Sequence, residues 1–196
     1  MDQLESERER IRAELATAGE QADAGMRRCI WNDGDELVEA VGHILEDLGF
    51  AVRPMDAETA PGEPKREDLR LTLADLHGWE AIAEVKGYPN GTKTSDSRQI
   101  REHRDRYRDE EGRFPDLTLW VANPYRFMDP ASRPTPDSNV NDTATGIGAV
   151  HVLTIDLYRL WMLVKSGNLP AAQAAQQLVD ASEGAWVSPM VEPGLP

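Results

Sequence analysis

The stretch from Leu69 to Lys86 constrains the fold more than any other part of the chain. Leu69, Leu71 and Leu73 alternate with Arg70, Thr72 and Ala74, the two-residue period of a strand with one buried face. Asp75-Leu76-His77-Gly78 supplies turn chemistry, and a return arm runs from Trp79 to Lys86 through the apolar run Ala81-Ile82-Ala83. A hairpin here commits the chain to a β-sheet. Upstream, Leu37, Val38, Val41, Ile44, Leu45 and Leu48 fall at helical spacing, with Asn32 and Asp33 as N-cap candidates and Gly49 in the C-cap position.

Further elements follow from the same signals. A short strand is expected at Phe50 to Arg53, then a Pro- and Gly-rich loop over 54–66. Asp96 with Gln99 resembles a capping box for a helix running to about Glu110. Leu117 to Ala122 and Val150 to Thr154 are strand candidates. Ile155 to Val164 and Pro170 to Ala181 are helix candidates, and the segment 123–148 between the two strands is expected to be a long, Pro-rich, polar connection, functional or partly mobile. That order predicts a mixed α/β sheet between helices. The expected organisation is a helical arm over 1–25, one folded domain over 32–182 and a loose tail over 183–196. In the arm, Leu4, Ile11, Leu15 and Ala18 recur at three- and four-residue steps, which suits either a solvated helix or a short coiled coil over residues 1–20 that pairs with a second copy or a larger partner.

Composition narrows the function. The formal net charge is −14, which argues against a protein that coats nucleic acid through a diffuse positive field. An enzyme with a few local cations is not excluded. Lysine is scarce, confined to Lys65, Lys86, Lys93 and Lys165, so one inside a motif is informative. No apolar run approaches the roughly 20 residues of a membrane helix, the N-terminus lacks the apolar core of a signal peptide, and Cys29 stands alone. A cytoplasmic protein without a membrane partner is expected.

The chemistry centres on Glu84-Val85-Lys86. Residues two apart on a strand share a face, so Glu84 and Lys86 project together while Val85 points away. Asp68 opens the other hairpin arm and is brought close to both. Two carboxylates and the carbonyl of Val85 are hard oxygen ligands suited to Mg²⁺, with Mn²⁺ able to substitute. A cation there favours phosphodiester hydrolysis, with Lys86 positioning or activating water and its pKa expected to be depressed by the metal and by burial. The competing explanation is an ordinary Glu–Lys pair on an exposed strand end, since E-x-K alone is common. The apolar run that it terminates, and the acid that opens the preceding strand, favour the site.

From Gly34 to about Val164 the chain resembles the PD-(D/E)XK restriction-endonuclease-like superfamily. The resemblance lies in "GDELVEAVGHILEDLGF", "EDLRL…AEVKG", "VANPYR" and "GAVHVLTIDLYRL". It implies a restriction-endonuclease-like mixed sheet flanked by helices, with an αβββαβ core. It also implies Asp68 and Glu84 as metal ligands and Lys86 as catalytic lysine, with Glu67 standing where a proline is frequent. Such domains often add an acid from the first helix; Glu39 is the candidate, followed by Glu36, although Val38 holds the position where that acid is most expected. Gln99 carries over from a Gln-and-aromatic pattern in which His103 replaces the aromatic, and His103 itself is expected on the surface. Lys93, Arg98 and Arg101 are candidates to hold phosphates, against a default of solvated ion pairs, whereas Asn123, Tyr125 and Arg126 are expected mainly to shape a turn.

The resemblance implies a metal-dependent nuclease, endonuclease rather than exonuclease, acting on DNA rather than RNA, as in the effector of a bacterial restriction or defence system. Two other readings stay open: an inactive nuclease-fold scaffold, and an interaction module that docks a larger protein through its arm and acidic surface.

Overall fold

The computed structural model describes residues 5–12, 14, 25–55 and 66–188. Residues 5–12 are helical, with Arg10 donating to Glu7 and Glu14 across one turn. Leu4, Leu15 and Ala18 lie outside the described residues, and with them the question of a coiled coil.

The folded body starts at α1 (Arg28–Trp31), earlier than the sequence reading placed it, because Cys29 and Ile30 are buried. There follow α2 (Gly34–Asp47), β1 (Ala51–Pro54), β2 (Leu69–Thr72), β3 (Glu80–Gly87), α3 (Ser97–Glu111), β4 (Leu117–Asn123), α4 (Ser138–Gly146), β5 (Val150–Leu153), α5 (Thr154–Lys165), α6 (Ala171–Val179) and β6 (Gly184–Trp186). The strands form one sheet in the order β1-β2-β3-β4-β5-β6. The first three are antiparallel neighbours, and β3 to β6 run parallel.

Strand alternation sorts the side chains into two layers. Leu69, Leu71, Ala81, Ala83, Val85, Leu119, Val121, Val150 and Val152 point to one face. There they meet the apolar stripe of α2 and the inner residues of α5 and α6. The other face carries Arg70, Ile82, Glu84, Trp120 and His151 in cross-strand register. It is covered by α3, which turns Ile100, His103 and Tyr107 inward, and by α4, which adds Val140 and Ala144 to a small cluster around Trp120. The helix and hairpin signals thus produce the expected sandwich.

Two segments differ from the sequence reading. Residues 123–148 are not an irregular connection: they hold a 3₁₀ turn at Pro130–Ser132 and α4, capped by the Asp137 side chain accepting from Asn139 N. The helical signal was hidden because only Val140 and Ala144 mark its buried side. The expected loose tail contains β6, whose backbone pairs with β5 and whose Trp186 is buried. Three residues are too short to show a period; residues 189–196 lie outside the description.

Two buried polar groups tie this layer together. Arg70 is 5% exposed and joins Glu67, which is 1% exposed, to Glu110 at 2.8 Å and Glu111 at 3.0 Å on α3. Its guanidinium also stacks 4.9 Å from the centroid of Tyr107. His151 lies edge-on to Trp120, within 3.4 Å of Thr92 Oγ and 3.3 Å of Asn141 Oδ1. Burial pushes its pKa down to about 4. The unfolded chain, with an ordinary pKa near 6.5, then binds the extra proton first. The stabilisation is therefore complete above about pH 6.5 and is lost as pH falls toward 4. Urea melts at pH 7 and pH 4.5 should show that loss, and His151→Gln should make the difference smaller; an unchanged pH dependence would exclude His151 as its source.

Candidate active site

The hairpin register sets the site. Leu69 faces Ala83, so one step earlier Asp68 comes opposite Glu84. Asp68 Oδ2 accepts from the backbone N–H of Val85 at 2.6 Å, which fastens the acid to the strand that carries the other two residues. Glu84 is 2% exposed; its Oε1 is 2.7 Å from Lys86 Nζ and its Oε2 is 2.8 Å from His103 Nδ1. An ionised carboxylate only accepts, so His103 Nδ1–H is the donor. Sheet register and α3 together deliver two acids, an ammonium and an imidazole to one rim.

Electrostatics follow from that packing. Burial pushes Glu84 up, but the hydrogen bond from His103 and the charges of His103 and Lys86 outweigh it and hold the carboxyl below its ordinary value. Burial pulls Lys86 down, yet Glu84, Asp68 and Asp96 more than compensate and raise its pKa. The expectation of a depressed lysine is therefore reversed in the protein alone, because three carboxylates surround one amine.

The rim opens into a cleft of about 340 Å³ between β3 and the start of α2, lined by Asp68, Val85, Lys86 and Gly87 on one side and Asp33, Asp35 and Val38 on the other. The strand ends hold the far wall in place. Asn123 Nδ2 donates to Asn32 O at 2.9 Å, and Arg133 bridges Asn123 Oδ1 at 2.8 Å to Ile30 O at 2.6 Å. Arg126 pairs with Asp33 at 2.8 Å. Asn123 and Arg126, expected mainly in a turn, thus brace the cleft.

Gly87 lets the two walls meet. A Cβ there would stand 2.4 Å from Asp33 Cβ and 2.9 Å from Asp33 Cα. Gly87→Ala should push the start of α2 away and cost about 1–3 kcal/mol, the usual penalty of overpacking. Thermal melts of the variant check this, and an unchanged melting temperature would refute the close approach.

The other predicted residues are distributed as follows. Glu39 lies on the exposed side of α2, 3.3 Å from Arg28, and lines a neighbouring groove with Asp68. Glu36 holds Asn32. Asp35, which the sequence reading did not single out, is the α2 acid lining both the cleft and the groove. Its position one turn before Val38 and Glu39 was the available signal. Gln99 is half-buried on α3; the side chain from that helix that reaches Glu84 is His103, 3% exposed and not on the surface as expected. The steps of three and four from Ile100 to His103 to Tyr107 mark it as inward-facing. The expected Asp96 capping box does not form; Asp96 instead accepts from Tyr88 Oη at 2.8 Å. Lys93, Arg98 and Arg101 are exposed, and Arg98 is 3.8 Å from Glu102. Among the described residues no three His, Cys, Asp or Glu side chains form a ready-made metal cluster, so a cation here would need backbone, water or substrate oxygen besides Asp68 and Glu84.

A mixed sheet with an antiparallel β1–β3 meander, a crossover helix and parallel β4 and β5 is the restriction-endonuclease-like fold. Among solved structures, the restriction endonuclease FokI matches with a TM-score of 0.52 at 11% identity, over 77% of this chain and 28% of that one. FokI bound to DNA matches equally, with a TM-score of 0.52 and 11% identity over 78% of this chain and 28% of that one. The chain thus spans under a third of the proteins it matches, and the likeness is one of fold. No protein-family model matches the chain, and no curated protein matches its sequence. No helix among the described residues is long and apolar enough to cross a membrane.

Proposed function

We propose that this protein is a divalent-metal-dependent nuclease that hydrolyses phosphodiester bonds, with DNA as the preferred substrate, at a site made of Asp68, Glu84 and Lys86. The observation that carries this reading is the burial of the Glu84 carboxylate between Lys86 and His103, opposite Asp68. A buried carboxylate is costly, and an apolar residue would serve stability as well or better. A carboxylate perturbed by burial and by specific charged partners beside a cleft is characteristic of functional sites.

A cation fits these residues. Glu84 Oε1 is buried without an aligned hydrogen-bond donor, although Lys86 Nζ lies beside it, and the available donors are the hard oxygens that Mg²⁺ or Mn²⁺ prefers. Asp68, Glu84 and the carbonyl of Val85 would hold the ion. Its contribution when bound is to neutralise charge that builds on the attacked phosphate. Lys86 supplies a second positive charge and a donor for a phosphate oxygen. Asp68, fixed to Val85 N–H, keeps its carboxylate in register with Glu84. Asp35 on the α2 rim repels phosphate and so favours entry from the Lys86 side, while Asp33 is paired with Arg126. The DNA preference draws on the fold shared with part of FokI, a restriction endonuclease solved bound to DNA.

The test is a panel of supercoiled plasmid, linear duplex, single strands and RNA, each with Mg²⁺, Mn²⁺ or EDTA, with Asp68→Ala beside the wild type. Cleavage that needs the metal and falls at least 100-fold in Asp68→Ala is expected. Cleavage that persists in EDTA would reject the mechanism, and a protein inert under every condition would return the chain to the scaffold reading.

A further inference from the structure

His103, buried on the inner face of α3, contacts the Glu84 carboxylate, a contact not expected from the sequence. Its ring sits 2.8 Å from Glu84 Oε2, with both side chains at or below 3% exposure. The same inner face of α3 reaches β3 a second time, where Tyr107 Oη donates to Glu80 Oε2 at 2.8 Å. Ile100, the inward residue before His103, is apolar and packs in the Trp120 cluster, so α3 does not need a polar residue to stay on the sheet. A packing role alone would be met by an aromatic hydrocarbon of similar volume. A ring N–H does something more specific: it engages one carboxylate oxygen and leaves Oε1 turned toward Lys86 and without an aligned donor.

We propose that His103 is a positioning residue for the metal-dependent site, a role that rests on the nuclease reading: its Nδ1–H fixes the Glu84 carboxylate so that Oε1 is presented to the divalent cation. Hydrogen-bonding partners of metal ligands typically change metal affinity by about 10–100-fold when removed. The rotation of a carboxylate about its terminal torsion is otherwise broad, so an unheld Glu84 would spend much of its time misaligned.

Two substitutions separate positioning from packing. His103→Asn keeps a side-chain N–H in reach of Glu84 but loses ring volume. His103→Phe keeps the volume and loses the donor. Mn²⁺ is titrated calorimetrically into the full chain without nucleic acid, and the metal dependence of plasmid cleavage is measured on the same samples. The expected result is Mn²⁺ binding within about 3-fold of wild type for His103→Asn and weakened about 10-fold or more for His103→Phe, with half-maximal cleavage shifted to higher Mn²⁺ in parallel. The reverse order, or equal affinity in all three proteins, would overturn the role. Should His103→Phe fail to fold, His103→Asn decides alone: wild-type-like affinity supports the hydrogen bond, and a folded variant with 10-fold weaker binding rejects it. Wild-type protein that neither binds Mn²⁺ nor cleaves would overturn the nuclease reading instead, and the role of His103 with it.

Discussion

Lys86→Met is expected to lower phosphodiester cleavage roughly 10²- to 10⁴-fold at saturating Mn²⁺, the range for losing a positioned acid, base or charge-stabilising group. Methionine keeps much of the apolar stem and removes the ammonium. The same variant is expected to bind Mn²⁺ as well as wild type or better. Lys86 Nζ lies 2.7 Å from Glu84 Oε1, the oxygen that a divalent cation would share, so the ammonium repels any ion that approaches it. Binding and catalysis should therefore separate: affinity holds or rises while turnover collapses. A variant that loses both would mark Lys86 as a structural counter-charge for Glu84. One that cleaves within about 3-fold of wild type would remove the lysine from the mechanism.

The largest expected effect on stability lies at Arg70, on the α3-covered face of β2. Arg70→Met should destabilise the protein by about 3–5 kcal/mol, as measured when one partner of a buried ion pair is removed. Glu67 would be left 1% exposed without its cation, and one of its oxygens already lacks a hydrogen-bond partner. Glu110 and Glu111 are more exposed and would be rehydrated at little cost. The double variant Glu67→Leu with Arg70→Met should recover most of the loss, because it leaves neither a stranded charge nor an unpaired polar group. Urea denaturation of the three proteins checks this. A loss below about 1 kcal/mol for Arg70→Met, or no recovery in the double variant, would contradict it.

These two residues show what the sequence made legible and what it did not. Alternation over Leu69–Thr72 and the apolar run into Glu84 announced the hairpin, and the hairpin announced that Asp68, Glu84 and Lys86 share a rim. Local periodicity was enough because the three residues belong to two adjacent strands. Residues that reach the site from elsewhere carried weaker signals. His103 lies 19 positions from Glu84 and meets it only because α3 folds back over the sheet. Arg70 looked like the polar side of a half-exposed strand, but α3 covers that face and converts it into a buried ion pair. Glu39 was the helix-acid candidate although Val38 holds the expected position; it pairs with Arg28 and shares a groove with Asp68, while Asp35 lines both that groove and the cleft. β6 and α4 were missed because a three-residue strand and a nine-residue polar helix hold too few apolar positions to show a period.

Crystals of the protein soaked in Mn²⁺ and measured at the manganese absorption edge test the central claim most directly. An anomalous peak within coordination distance of carboxylate oxygens from both Asp68 and Glu84, and absent from Asp68→Ala crystals, is the predicted result. A peak held by other residues, or none in protein that cleaves DNA in the same Mn²⁺ solution, would contradict it.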